Sequence, residues 1–191
     1  MNIEHRKEYY STGTIKTEYT TINNRKEGEK TDYYNHSAAI KQKVFYTKGK
    51  KQGLEIQYYE SGAIESTISY IDNKKQGEYI AYYESASLCF KVNYINNKRQ
   101  GEQIVFYENG AIQAKMNFID DNKDGLYIEY YPSGNIKYTL TYSNGMRHGE
   151  YIHYYESGAI KYKAIYEHDK QQSTSYYKEI DNIREEELLN N

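Results

Sequence analysis

GLEIQYYESGAIESTISYIDNKKQ (53–76) holds in 24 residues the pattern that decides the fold. Gly53 opens an alternating run that ends in the pair Tyr58-Tyr59. A polar loop, Glu60-Ser61-Gly62, leads to a second run, IESTISY (64–70). The stretch closes on turn-rich residues, Asp72-Asn73-Lys74-Lys75-Gln76. Both runs are rich in Tyr, Ile and Thr and are bounded by turn residues, as strands are. Neither is long enough for a helix, and the alternation has period two. The loop fits a hairpin connection made of a type I turn followed by glycine in the left-handed conformation.

The same phrase recurs in both directions along the chain. Tyrosine pairs or their equivalents stand at Tyr9-Tyr10, Tyr33-Tyr34, Tyr58-Tyr59, Tyr82-Tyr83, Phe106-Tyr107, Tyr130-Tyr131, Tyr154-Tyr155 and Tyr176-Tyr177. All but two of the steps are 24 residues, the exceptions being 25 and 22. Glycines precede the pairs at Gly28, Gly53, Gly77, Gly101, Gly125 and Gly149. The hairpin loop recurs with Gly110, Gly134 and Gly158 in the place of Gly62, and Pro132 sits where a type I turn wants a preset φ. A fixed period of this kind is the mark of a repeat array.

Short links make consecutive strands antiparallel neighbours. The expected fold is all-β: an elongated, twisted, antiparallel single-sheet meander of stacked β-hairpins, period 24, in seven to eight copies over residues 1–177. Residues 178–191 form a tail or cap. Its end, DNIREEELLNN (181–191), has helix formers for a short helix over the last edge, with a solvated tail as the alternative. Opposite residues of a hairpin share a face. The spacing therefore predicts one face with Ile56, Tyr58, Ile64, Ile68 and Tyr70, repeated as Ile80, Tyr82, Leu88, Val92 and Tyr94. Two further copies follow, with Ile104, Phe106, Ile112, Met116 and Phe118, then Ile128, Tyr130, Ile136, Leu140 and Tyr142.

Composition narrows the function. The 191 residues carry 25 Lys+Arg against 27 Asp+Glu, a net charge of -2, which removes the electrostatic case for nucleic acid. No apolar stretch approaches the roughly 20 residues of a membrane span. The N-terminus, MNIEHRKEYY, has no apolar signal core, which predicts a cytoplasmic protein. Cys89 is the single cysteine, so no intrachain disulfide is possible. The mean hydropathy of -1.02 resembles that of disordered chains, yet aromatics make up 16%. Tyrosine, present 26 times, has an apolar ring and a polar tip and suits a thin, half-wet core.

The phrases IQYYESGAI, IVFYENGAI, IEYYPSGNI and IHYYESGAI, with links such as NNKRQG and NGMRHG, resemble the MORN repeat in its bacterial variant form. The resemblance covers residues 4 to about 177. It implies stacked β-hairpins in an elongated, curved sheet. Chains of this kind include the YwqK-like antitoxins, which implies a scaffold that binds a protein partner and neutralises a toxin. The eukaryotic branch, with its lipid-binding roles, differs by its tryptophans and paired glycines.

No catalytic, metal or cofactor site stands out. His5, His36, His148, His153 and His168 have no metal-ligand spacing with Cys or acid partners. Cys89 falls where other copies carry Glu65, Gln113 or Lys137 and reads as a tolerated small residue. Glu60, Glu84, Glu108 and Glu156 all hold the same turn position, whereas chemistry needs one unequal site. The chain is expected not to be an enzyme. The second tyrosines, Tyr34, Tyr59, Tyr83, Tyr107, Tyr131 and Tyr155, alternate to the face opposite the isoleucines, with Tyr79, Tyr127 and Tyr151. They either pack on one another and on lysine stems or offer rigid binding surfaces. The candidate partner-binding residues are Tyr83, Tyr107 and Tyr131, with Tyr82, Phe106 and Tyr130 as the rival surface. A tyrosine-rich carbohydrate or cell-wall binder, or a membrane-associated adaptor, is the alternative function.

Overall fold

The computed structural model describes residues 1–177; the expected tail or cap, 178–191, lies outside the described residues. The described residues are strands and turns, with no helix long and apolar enough to cross a membrane. The chain forms two compact units, Met1–Lys98 and the part from Arg99 onward. The first holds β1 (Ile3–Tyr9), β2 (Ile15–Ile22), β3 (Arg25–Tyr33), β4 (Ile40–Thr47), β5 (Lys50–Tyr58), β6 (Ile64–Ile71), β7 (Lys74–Tyr82) and β8 (Leu88–Ile95). The two-residue strand β9 (Lys98–Arg99) falls at the boundary. The second holds β10 (Gly101–Phe106), β11 (Ile112–Ile119), β12 (Asn122–Lys123), β13 (Gly125–Tyr130), β14 (Ile136–Ser143), β15 (Met146–Tyr154), β16 (Ile160–Glu167) and β17 (Lys170–Tyr176). Within each unit the strands form an antiparallel meander of hairpins.

The hairpin loops take the expected form. The Gly62 N–H donates to the Tyr59 carbonyl at 2.9 Å, and the Tyr59 N–H donates to Ala63 at 2.8 Å. Gly62, Gly110, Gly134 and Gly158 have φ of 91°, 86°, 92° and 92°, the left-handed region where a side chain is disfavoured. Ala86 holds the same place at φ 66° and Ala38 closes the one longer loop at φ 54°, so these two copies bear strain that the glycines avoid.

One extra residue in each hairpin changes the faces. Tyr58 lies opposite Ile64 as expected, but Gln57 lies opposite Ser66, and Glu65 is a bulge between them. Cys89, Gln113 and Lys137 are the bulged residues of the next copies. A bulge sets two residues against one and so inverts the alternation beyond it. Ile68 and Tyr70 therefore share a face with Glu55 and Ser66, not with Ile56, Tyr58 and Ile64. The expected single apolar face is thus two. Val92 and Tyr94, Met116 and Phe118, and Leu140 and Tyr142 move in the same way.

The first of these, the core face, buries Val44, Ile68 and Val92 to 2% exposure, and Phe118 and Leu140 to 2% and 5%. A sheet face closes this far because long side chains lie over it. The Lys51 ammonium stands 4.7 Å from the Tyr70 ring centre, Lys75 stands 5.1 Å from Tyr94, and Lys123 stands 4.9 Å from Tyr142. The stems cover apolar surface while the charge meets the ring quadrupole. Glu55, buried on this face, is held by Lys51 at 2.5 Å.

The links that sequence leaves without a register are two-residue turns. Asp72 and Asn73 have φ of 50° and 69°, and Asn96 and Asn97 have 51° and 73°, the type I′ pattern that suits the twist of a hairpin. Each turn is clasped by the repeat before it. Asn73 donates its N–H to the Lys51 carbonyl at 3.0 Å and accepts the Lys51 N–H on Oδ1 at 2.7 Å. The Asp72 N–H reaches Gln52 Oε1 at 3.0 Å. Asn97 with Lys75, Asp121 with Arg99 and Asp169 with Arg147 repeat the first clasp.

Leu140 and Ile128 lie on opposite faces, one buried and one half-buried. Leu140→Ala should cost about 2–4 kcal/mol, as a buried truncation does. Ile128→Ala should cost clearly less, and Glu108→Ala, in an exposed turn, should stay within about 0.5 kcal/mol. Denaturant unfolding of the three variants checks the order; Ile128→Ala at or above Leu140→Ala would reverse the assignment of the faces.

Candidate functional site

The two tyrosines of each pair have separate roles. Pairing between repeats stops one residue short of the first tyrosine, at Gln42 with Gln57, Ala114 with Glu129 and Tyr138 with His153. The carbonyls of Tyr58, Tyr130 and Tyr154 then have no strand partner, and an unmet carbonyl is costly when buried. The second tyrosine of the preceding repeat supplies the donor. Tyr34 Oη donates to the Tyr58 carbonyl at 2.7 Å, Tyr107 to Tyr130 at 2.7 Å and Tyr131 to Tyr154 at 2.8 Å. Tyr10 and Tyr59 bond Tyr33 and Tyr82 in the same way. Lysines lie over several of these rings: Lys16 over Tyr10, Lys41 over Tyr34 and Lys161 over Tyr155. Of the candidate binding residues, Tyr107 and Tyr131 thus use their hydroxyls to join repeats, and Tyr83 holds the equivalent place in its hairpin.

The first tyrosines lie on the other, open face. In the second unit that face carries Ile104, Phe106 and Ile112, then Ile128, Tyr130 and Ile136, in register across β10, β11, β13 and β14. Leu126 beside them is 52% exposed and Ile136 is 38% exposed. In the first unit Ile56, Tyr58 and Ile64 precede Ile80, Tyr82 and Leu88, with Phe45 and Leu54 about half exposed alongside. Among the described residues the hydroxyls of Tyr58, Tyr82, Tyr130 and Tyr154 donate no hydrogen bond, in contrast to Tyr59 and Tyr131, whereas Tyr33 donates to Glu18. The open face therefore presents apolar rings and isoleucines with spare phenols.

The core face of the second unit carries a feature that sequence reading passes over. Tyr127, Tyr138, Tyr151 and Tyr162 stack in succession, with each pair of ring centres 5.4 Å apart. Tyr138 Oη reaches Tyr127 Oη at 3.4 Å, Tyr162 Oη reaches Tyr151 Oη at 3.2 Å, and Tyr127 Oη donates to Glu129 at 2.9 Å. Burial and the Glu129 carboxylate raise the Tyr127 phenol to about 12, and burial likewise raises Tyr138 and Tyr151. Burial alone would raise Glu129 as well, but hydrogen bonds from Lys137 and the tyrosines hold it below the ordinary carboxylate value. His153, edge-on to Tyr162, has its Nδ1 buried without a partner among the described residues, and burial lowers its pKa. Without a bulge Tyr138 would share a face with Ile136; the bulge at Lys137 turns it to the face of Tyr127.

Among the described residues no three His, Cys, Asp or Glu side chains are placed to hold a metal ion. Glu60, Glu84, Glu108 and Glu156 are exposed in their turns, and Cys89 is a half-buried bulge residue. His148 and His168, which sequence puts in separate elements, meet edge-on at 5.7 Å, because one precedes a repeat glycine and the other sits in the next turn.

The geometry defines a repeat scaffold of β-hairpins. Its repeats match the MORN repeat variant family at residues 51–72, 99–120, 123–144 and 147–168, and the chain carries MORN-variant repeats there. Each matched segment starts at the residue whose main chain is clasped by the following turn and ends in that turn. No curated protein matches the chain. A solved structure of TcdB2-TccC3-Cdc42 is similar over 92% of this chain, at 10% identity and a TM-score of 0.26. The chain spans 12% of the length of that match, and a likeness this low supports no functional inference.

The stacked tyrosines give the fold an alkaline limit. A phenol with a raised pKa adds stability that is whole below the ordinary value of 10.0 and is lost as pH rises through about 12. Tyr127→Phe removes one such group, and its midpoint of alkaline unfolding should lie above that of the wild type. Tyrosinate absorbance and circular dichroism followed together test this; an unchanged or lower midpoint would contradict the account.

Proposed function

We propose that the chain is a non-enzymatic scaffold whose open face binds a protein partner. The observation that best supports this reading is the division of roles within each tyrosine pair. In Tyr58-Tyr59 and Tyr130-Tyr131 the second tyrosine donates its hydroxyl inside the sheet, while the first stays half-buried on the open face and donates none among the described residues; Tyr33 departs from this by bonding Glu18. This moves the proposed contact from Tyr83, Tyr107 and Tyr131 to the rival set: Phe106 and Tyr130 in the second unit, and Tyr82 in the first. Such rings are anchored at the backbone, lose little rotamer freedom on binding, and remove a large area from water. The flanking isoleucines provide the apolar surround that excludes water from a binding hot spot.

The finer reading makes the partner a toxin that the scaffold neutralises by covering it. This rests on the resemblance of the repeat phrases to the YwqK-like antitoxins. It needs no chemistry, cofactor or nucleic acid, in keeping with turn acids that repeat from copy to copy.

The test compares the two tyrosine rows against a captured partner at matched folding stability. Tyr130→Ala and Phe106→Ala should each weaken binding by about thirtyfold or more, the effect of losing about 2 kcal/mol at a hot spot. Tyr107→Phe and Tyr131→Phe should lower stability by about 1 kcal/mol apiece and leave the affinity of the folded protein unchanged. If the phenylalanine variants lose affinity while the alanine variants keep it, the binding surface is the other face.

A further inference from the structure

We infer that the core face of the second unit carries a slot for a tyrosine side chain of a partner polypeptide, centred on Ala114. The evidence is the chain's own repetition. In the second unit the second and thirteenth residues after a repeat glycine supply the stacked rings in two copies, Tyr127 and Tyr138 after Gly125 and Tyr151 and Tyr162 after Gly149, whereas the copy after Gly53 in the first unit fills the same places with Glu55 and Ser66. In the first unit the same two positions, Tyr79 and Phe90 after Gly77, bring their rings together at a tilt, with centres 5.3 Å apart. After Gly101 these positions are Gln103 and Ala114. The ladder of rings in the second unit therefore stops at Tyr127, and the next ring is missing.

A cavity of about 230 Å³ stands in its place, lined by Gln103, Val105, Ala114, Met116, Tyr127 and Tyr142 among others. A cavity of about 150 Å³ is enough to hold benzene, so one ring fits. Ala114, 7% exposed, forms part of the lining, and Lys123 stands 6.0 Å from the Tyr127 ring. The geometry of the neighbours sets how a ring would sit. Tyr138 stacks on the next repeat's Tyr151 at 5.4 Å, so a ring at Ala114 would stack on Tyr127.

The same comparison selects a phenol over a plain phenyl ring. Tyr138 turns its hydroxyl to Tyr127, and Tyr162 turns its hydroxyl to Tyr151, in each case to the second residue after its own repeat glycine. For the repeat after Gly101 that residue is Gln103, whose amide oxygen would accept the O–H of the guest. A site with such an acceptor discriminates against the ring that lacks the hydroxyl. The choice of a polypeptide as the source rests on the reading of this chain as a protein binder. The slot lies on the face opposite the proposed partner surface, so the two can fail separately.

The probe is N-acetyl-L-tyrosinamide, with N-acetyl-L-phenylalaninamide as its comparison, titrated into the full chain with isotope-labelled methionine and alanine methyl groups. Met116 and Ala114 methyl resonances should shift saturably with the tyrosine probe, and the phenylalanine probe should bind several-fold more weakly. Gln103→Ala should abolish that difference. Ala114→Tyr, which gives the repeat the residue of its neighbours, should fold at least as stably as the wild type. Its affinity for the probe should fall at least about tenfold. Ala114→Met serves as a smaller block should the tyrosine variant not fold. No saturable shift of Met116 in the wild type, or probe affinity within about twofold in the blocked variants, would overturn the slot. Loss of partner binding in Tyr130→Ala with the slot intact, or the converse, would tell the two sites apart.

Discussion

The hydroxyls of Tyr10, Tyr34, Tyr59, Tyr107 and Tyr131, each bonded to a carbonyl of the next repeat, are the contacts on which the arrangement depends. A bulge one residue after the start of each returning strand ends the ladder between repeats early. That leaves a main-chain carbonyl facing a neighbour that has turned away. Tyr59, Tyr107 and Tyr131 span this opening. At the opposite rim Asn73, Asn97 and Asp121 do the corresponding work with main-chain and Oδ1 bonds. Within each unit successive repeats are thus tied at both ends of their strands, and the apolar core need supply only the middle.

This division explains how so hydrophilic a chain folds. A single layer of strands cannot bury a thick core. Here Val44, Ile68, Val92, Phe118 and Leu140 form a thin line, covered by lysine and arginine stems laid on aromatic rings. Tyrosine serves all three needs: ring for packing, face for cations, hydroxyl for the unmet carbonyl. Phenylalanine lacks the donor. The proposed binding role falls on the open face.

The period, the strand identity and the hairpin loop were legible in the sequence because each depends on local chemistry. Glycine at positive φ, proline at a turn start and alternation within a strand leave direct marks. The faces were only half legible. A bulge adds one residue to one strand, and Glu65, Cys89, Gln113 and Lys137 look like ordinary outward residues. Ile68 and Leu140 were consequently put with Ile56 and Ile128. The links were legible as turn-rich but not as type I′ turns, since Asp72-Asn73 and Asn96-Asn97 reach the left-handed region without a glycine. Their signal was the recurring Asn or Asp that clasps the previous repeat. The separate roles of the two tyrosines were not legible, because they follow from which carbonyl the bulge leaves unpaired.

The most direct test of this account is the exchange rate of individual tyrosine hydroxyl protons, resolved by isotope effects on the ring carbon in selectively labelled protein. The account predicts slow exchange for Tyr59, Tyr107 and Tyr131, whose hydroxyls are bonded between repeats. It predicts fast exchange for Tyr58, Tyr82 and Tyr130 on the open face. Fast exchange in both rows, or protection of Tyr82 and Tyr130 with Tyr107 and Tyr131 exposed, would contradict it.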